Sequence, residues 1–423
     1  MSYSEALVLI LSILREMLLV EIAPKAKLTE LGFLDESAIE SLAQAIKVRS
    51  GITIDDAGIR HSRTVSDLAQ LLAFQSETQT GRVQLSFPTA EESEDNGCEY
   101  PVWFATNRRA HLTAVDKLEF SIERDDRTHY GACTVFVPKS HRIGSTGSSW
   151  LKRKLTGTDD RLRLESVREL AFNSYWSSMK RALRAVDIED RDVVVFIHGY
   201  NVSFVDAAIR SAQIGFDLSI KGAMIFFSWP SYGSTSAYLA DEATIEASEA
   251  AIAEFMINVA TRSNARAVHI IAHSMGNRGV LRAVSRIAAV AEERSRVRFE
   301  QIILAAPDVD ADVFRQLCGA YRQISARTTL YVSAKDRAVE ASGWLHQYPR
   351  VGLTPPIFVT PGIDTINVTN ADLTMLGHGY VAEARDVLRD MHDLINHGTS
   401  PDRRFGLRAV GSESGVPFWF IGS

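Results

Sequence analysis

The chain has 423 residues, 46% of them hydrophobic and 23% charged, with 26 Gly and 12 Pro. This composition excludes disordered, collagen-like and coiled-coil proteins, and the length calls for two or three domains of roughly 100–200 residues each. The net charge of −6 is uneven, because residues 1–97 carry 15 Asp and Glu against 8 Lys and Arg; the near-neutral remainder offers no basic footprint for nucleic acid.

The run Ala6 to Leu14 is apolar apart from Ser12, but Glu5 precedes it and Arg15 and Glu16 end it, so it is neither a signal peptide nor a span. No stretch of about 20 apolar residues occurs elsewhere, which excludes an integral membrane protein. Cys98, Cys133 and Cys318 stand far apart, with no disulfide framework and no zinc-ligand pattern. A reducing compartment and a cytoplasmic location are expected.

Four segments follow in chain order. Residues 1–75 read as a small helical bundle. Leu7, Ile10, Leu11, Leu14 and Leu18 share one helical face, a second helix runs from about Ser37 to Arg49, and Thr64 N-caps a third through Val65, Leu68 and Leu71. Residues 76–97 lack periodicity and end in an acidic run, as a linker does. Residues 98–410 form the body, and 411–423 a C-terminal tail.

The head resembles an acyl carrier protein through Thr29-Glu30-Leu31-Gly32, Asp35-Glu36-Ser37, Gly51-Ile52-Thr53-Ile54 and Arg63-Thr64-Val65. The resemblance implies a phosphopantetheine-bearing serine at the start of the second helix. Glu36 occupies that place here and Ser37 falls one residue late, so Ser37 is only a displaced attachment candidate. A degenerate carrier-like fold that docks a protein partner through its acidic surface is the expectation.

The body opens with β-branched and aromatic runs at Val102–Phe104 and Cys133–Val137. From residue 160 helices alternate with strands. The helices are expected at about Leu170–Ala185, Phe204–Leu218, Asp241–Ala260, Asn277–Ala291 and Val381–Ile395. The strands are expected at Val193–Ile197, Ala223–Phe227, Ala267–Ile271, Gln301–Leu304 and Thr328–Val332. Strands apolar throughout and separated by helices predict a doubly wound, mostly parallel α/β sheet covered on both faces.

The chemistry gathers at the ends of those strands. Ala272-His273-Ser274-Met275-Gly276 lies between a strand and a helix and departs from G-x-S-x-G only at its first position. A serine on so cramped a turn needs small residues two before and two after it, and the turn lifts its hydroxyl above the sheet edge. Ser274 is therefore the candidate nucleophile, with the Met275 N–H at the helix start as an oxyanion donor. The base and orienting acid follow in the order acid, then histidine. Asp336, past the strand ending at Val332, and His378, before the last helix, occupy those positions; Asp308, after the preceding strand, is the alternative acid. His198-Gly199-Tyr200-Asn201 follows a strand end, and the Tyr200 N–H is the second oxyanion donor. His198 and His273 are read as supporting residues, and Trp229 with the loop to Leu239 as either a substrate wall or a plain connection.

Residues 100–410 resemble a bacterial α/β-hydrolase family of unknown function, esterase- or lipase-like. The stretches that carry the resemblance are Phe104–Arg108, Tyr130–Cys133, Val137–His141, His198–Asn201, Phe227–Pro230, Ala272–Arg278, Ala305–Asp310 and Asp336–Ala338. It implies a Ser-His-Asp triad without metal or organic cofactor. The expected activity is cleavage of carboxylic esters on small or lipid-like acyl substrates through an acyl-enzyme. The alternatives are a thioesterase or acyltransferase working on carrier-bound chains, and a non-catalytic interaction scaffold.

Overall fold

A computed structural model describes residues 3–18, 22–23, 26–31, 36–50, 64–69 and the single positions 54, 59, 62 and 72 near the N-terminus. Beyond these it describes 97–113, 117–147, 160–234, 237–334, 348–369, 384–412 and 415–421. The chain divides into two compact units, Met1–Ser86 and Phe87–Ser423. The expected linker 76–97 lies outside the described residues, apart from Gly97.

In the first unit, helices α1 (Tyr3–Leu18) and α2 (Glu36–Ser50) follow the apolar spacing of the sequence. Ile10, Ile13 and Leu14 of α1 meet Ile39, Leu42 and Ile46 of α2 and Val65 and Leu68 in a core of their own. Thr64 caps the third helical segment reciprocally: its hydroxyl accepts the Asp67 N–H at 3.2 Å, while the Asp67 carboxylate accepts the Thr64 N–H at 3.0 Å. This is the capping-box arrangement, with Asp in place of Glu or Gln. Ser37 lies in the first turn of α2, and its side chain is outside the described residues.

The second unit is built on one sheet of eleven strands. These are β1 (Gly97–Leu112), β2 (Leu118–Pro138), β3 (Arg163–Glu169), β4 (Asp192–Ile197), β5 (Ala223–Ser228), β6 (Ala267–His273), β7 (Phe299–Ala305), β8 (Ser325–Val332), β9 (Asp364–Asn367), β10 (Leu407–Val410) and β11 (Phe418–Ile421). Their order is β10-β11-β9-β8-β7-β6-β4-β5-β1-β2-β3. The run from β11 to β1 is parallel, while β1, β2 and β3 are joined antiparallel, as are β10 and β11. The sheet is thus mostly parallel, as expected.

The helices that cover it are α3 (Phe172–Arg184), α4 (Phe204–Asp217), α5 (Tyr238–Ala247), α6 (Glu249–Arg262), α7 (Gly276–Ala289) and α8 (Arg385–His397). Alternate residues of β4 feed two cores. Val193, Val195 and Ile197 pack with α3, α6 and α7, and Val194 and Phe196 pack with α4 and α8. Such strands carry no polar alternation because neither face meets water.

Three expectations change. The single helix Asp241–Ala260 is split at Ser248, whose hydroxyl donates to Thr244 O at 2.8 Å and accepts from Asn107 Nδ2 at 3.0 Å. The runs at Val102 and Cys133 are parts of a hairpin far longer than their apolar cores. Residues 411–423, read as a tail, contribute β11, which pairs with β9 and β10 and buries Trp419 and Ile421. Among the described residues no helix is long and apolar enough to cross a membrane.

Candidate active site

β4 lies between β5 and β6 in the sheet. The chain leaves β4 through α4, which packs on one face, and returns from β5 through α5 and α6 to β6 over the other. The carboxyl ends of β4 and β6 therefore border the crevice where crossovers diverge, the usual place for a ligand site in an open α/β sheet.

Ser274 stands at that edge, directly after β6, with φ of +52°. A non-glycine residue in the left-handed region is strained and persists only where its surroundings hold it. Here the Ser274 N–H donates to Ala305 O at 2.9 Å, and Ser274 O accepts the N–H groups of Asn277 at 3.0 Å and Asp308 at 3.2 Å. Buried Asn277 adds its side-chain amide, within 3.0–3.2 Å of the carbonyls of Ala272, Ser274 and Ala305. Gly276 opens α7 because a β-carbon there would come within 2.5 Å of His198 O and 2.7 Å of Ile197 O. That contact is the physical content of the second small residue in the motif. Met275 precedes the first full helical residue, where an N–H has no acceptor within its own helix.

The loop after β4 meets Ser274. A β-carbon on Gly199 would fall 2.8 Å from Ser274 Cβ and 3.2 Å from Ser274 Oγ. His198, just before it, is wholly buried and stacked on Trp229 with ring centroids 5.0 Å apart. Arg108 Nε donates to Ser228 Oγ at 2.8 Å, and that hydroxyl lies 3.2 Å from His198 Nε2. The hydroxyl proton is thereby directed to Nε2, and the imidazole proton is left on Nδ1, which donates to Gly199 O at 2.7 Å. Across a trans peptide the following N–H points away from the carbonyl, so this bond turns the Tyr200 N–H away from His198. Burial, reinforced by the Arg108 charge, pushes the His198 pKa down to about 3, so its ring is neutral and unsuited to act as the base.

Arg108 and Asp241 tie two loops into one unit. Arg108 also donates to Val202 O at 2.8 Å and Ser231 O at 3.1 Å. The Asp241 carboxylate accepts Asn201 N–H at 3.1 Å, Tyr232 N–H at 2.8 Å and Ser231 Oγ at 2.6 Å. Burial lowers the Arg108 pKa to about 9 against the pull of Asp241 and Asp206, and burial raises that of Asp241. Sequence reasoning gave neither residue a role. The arginine that ends Phe104-Ala105-Thr106-Asn107-Arg108, in a strand that opens on apolar residues, was the available signal, since a cation in a covered sheet must be hydrogen-bonded.

Asp308 is buried on the opposite flank of the elbow. Its carboxylate accepts from Tyr238 Oη at 2.5 Å and lies 3.5 Å from the guanidinium groups of both Arg278 and Arg350. Burial works against the Arg278 charge, but Asp308, Tyr238 and Glu242 more than offset it and hold the guanidinium above its ordinary range. Asp336 and His378 lie outside the described residues. The stems that lead into their two segments are joined, because the Ala334 N–H donates to Thr369 Oγ1 at 2.8 Å at the carboxyl ends of β8 and β9. The structure thus brings together Ser274, Met275, Gly199 and Tyr200. Among the described residues no group of three or more His, Cys, Asp or Glu could hold a metal ion.

A cavity of about 360 Å³ lies beside this constellation. Its lining includes His198, Gly199, Tyr200 and His273, together with Thr146, Asn201, Val202 and residues of α4, α8, β4, β6 and β7.

Residues 176–397 match the family described as alpha/beta hydrolase of unknown function (DUF900). The chain belongs to that family. No curated protein matches this α/β hydrolase. Among solved structures it is similar to a candidate carboxylesterase from Lactobacillus plantarum WCFS1, at 12% identity over 64% of this chain and 88% of that one, with a TM-score of 0.26. It is also similar to the Fe-lacking apo form of ESTFA, at 8% identity over 85% of this chain and 96% of that one, with a TM-score of 0.29.

Proposed function

We propose that this α/β hydrolase cleaves carboxylic esters with Ser274 as nucleophile. The observation that carries the reading is the left-handed Ser274 at the strand-to-helix turn, with Gly199 packed against its side chain. His378 takes the proton of Ser274 Oγ as that oxygen attacks the acyl carbonyl. Asp336 holds the imidazole in the required tautomer and stabilises the imidazolium. The N–H groups of Tyr200 and Met275 receive the oxyanion, and collapse of the intermediate expels the alcohol, which takes its proton from His378. Water, deprotonated by the same histidine, then attacks the acyl-enzyme and releases the acid. The roles of His378 and Asp336 rest on chain order and on the joined stems at Ala334 and Thr369. The low basicity of buried His198, whose two ring nitrogens are engaged by Gly199 O and Ser228 Oγ, supports placing the base elsewhere.

Labelling of the full-length protein with a fluorophosphonate tests the reading. Wild type is expected to label and to hydrolyse activated esters, and Ser274→Ala to do neither. A wild-type protein that stays unlabelled and turns over no activated ester would sink the mechanism.

A further inference from the structure

We propose that the cavity between the sheet and helices α4 and α8 is the acyl-chain site, and that it takes unbranched aliphatic acyl groups of roughly six to ten carbons. The proposal rests on the serine-hydrolase reading and adds the substrate class.

The lining is mostly apolar. Gly199 abuts Ser274, and Tyr200, next in the chain, carries the proposed oxyanion donor. Phe196, Ile214, Ile271, Ala305, Leu388 and Met391 are all buried and all without a side-chain hydrogen-bonding group, while Thr146, Asn201, Asp206 and Arg210 supply polar side chains. A polar substituent seated against the apolar residues would lose its hydration and gain no side-chain partner, whereas a methylene chain loses nothing and leaves water.

Length follows from the helix. The residues of α4 that line the cavity run from Asp206 to Ile214. At 1.5 Å per residue this stretch is about 12 Å, close to an extended chain of eight to ten carbons. The choice of the acyl side over the alcohol side follows from the order of events. The alcohol must depart before water attacks, so it needs an open path, while the acyl group stays covalently held and is the part that an apolar lining can grip.

A series of oxyesters with one leaving group and acyl chains from acetyl to dodecanoyl tests this with the full-length protein. Wild-type kcat/KM is expected to peak between six and ten carbons, at least tenfold above acetyl. Ile209→Trp, on the half-buried cavity face of α4, is expected to lower the octanoyl-to-acetyl ratio of kcat/KM by tenfold or more. Leu388→Phe fills less space and should shift the optimum to shorter chains. A second measurement is independent of turnover: octanoic acid binding to Ser274→Ala by calorimetry, expected to weaken at least tenfold when Ile209→Trp is added. If fluorophosphonate labelling fails but octanoic acid binds and Ile209→Trp abolishes it, the chain site stands and the nucleophile reading falls. If the enzyme labels, yet its rate does not depend on chain length and octanoic acid does not bind, the chain site falls alone.

Discussion

Gly199 has no side chain because Ser274 occupies the space one would need. An alanine there would put its β-carbon 2.8 Å from Ser274 Cβ, a separation real contacts do not adopt, so either the loop or the serine must move. In the proposed mechanism, a displacement of about 1 Å between Ser274 and the oxyanion donors costs about a hundredfold in rate, because both must be aligned at once. Gly199→Ala is therefore expected to lower kcat by about 100-fold; an unchanged kcat for an activated ester would remove Gly199 from the site. Arg108 acts at one remove. Replacing it with Met leaves the carbonyls of Val202 and Ser231 and the hydroxyl of Ser228 short of a donor, and the nearby carboxylate of Asp241 without its compensating charge. Losses of about 3–5 kcal/mol accompany removal of one partner from a buried charged network. Denaturant unfolding of Arg108→Met is expected to show a loss in that range, and a change below about 1 kcal/mol would mean that Arg108 holds nothing. The sequence made Ser274 and Gly276 readable because sterics ties their spacing to one turn type. Arg108 is 166 residues from Ser274 in the chain, and only the pairing of β1 with β5 brings it under Ser228.

The hairpin of β1 and β2 shows the same limit for a whole element. Its apolar stretches, Val102–Phe104 and Cys133–Val137, sit in the covered sheet and were legible as strands. The continuation through Arg109, Glu123 and Arg124 is exposed, so its sequence carries no burial pattern, and backbone pairing from Arg108 to Leu112 defines it instead. Short strands such as β9 and β11, four residues each, offer too few alternations to stand out. Within the hairpin, buried His129 is held between two carboxylates, with Nδ1 2.8 Å from Glu169 Oε1 and Nε2 3.0 Å from Asp125 Oδ2. The His129 hydrogen bond lowers the Asp125 pKa from 3.8 to about 2, against a smaller opposing effect of burial. An acid held below its ordinary pKa contributes stability that is fully present above that ordinary value and is lost as pH falls through the depressed one. The contribution at neutral pH is about 1 kcal/mol, since Asp125 is partly open to solvent. Between pH 5 and 2 the denaturant midpoint of wild type should therefore fall more steeply than that of Asp125→Asn. Parallel profiles would show that the carboxylate contributes nothing to acid stability.

At the scale of the whole chain, the doubly wound sheet was legible because apolar strands alternated with amphipathic helices, and the segments credited with catalysis followed strand ends, except that of His378, which was placed by the helix after it. The cavity was not legible, since its lining reaches from Thr146 to Met391, 245 residues apart in the chain. The head is a separate matter, because it has its own core. Its charge of 15 acidic against 8 basic residues up to position 97 resembles the acidity of a carrier, but attachment of phosphopantetheine needs a hydroxyl to displace the pyrophosphate linkage of the donor. Glu36, the residue aligned with the attachment serine, opens α2 and has no hydroxyl to offer. Ser37 falls one residue further on. Incubation of the full-length protein with a phosphopantetheinyl transferase and coenzyme A is therefore expected to leave the intact mass unchanged. A mass gain that disappears in Ser37→Ala would overturn this and make the head a carrier that could present acyl thioesters for hydrolysis.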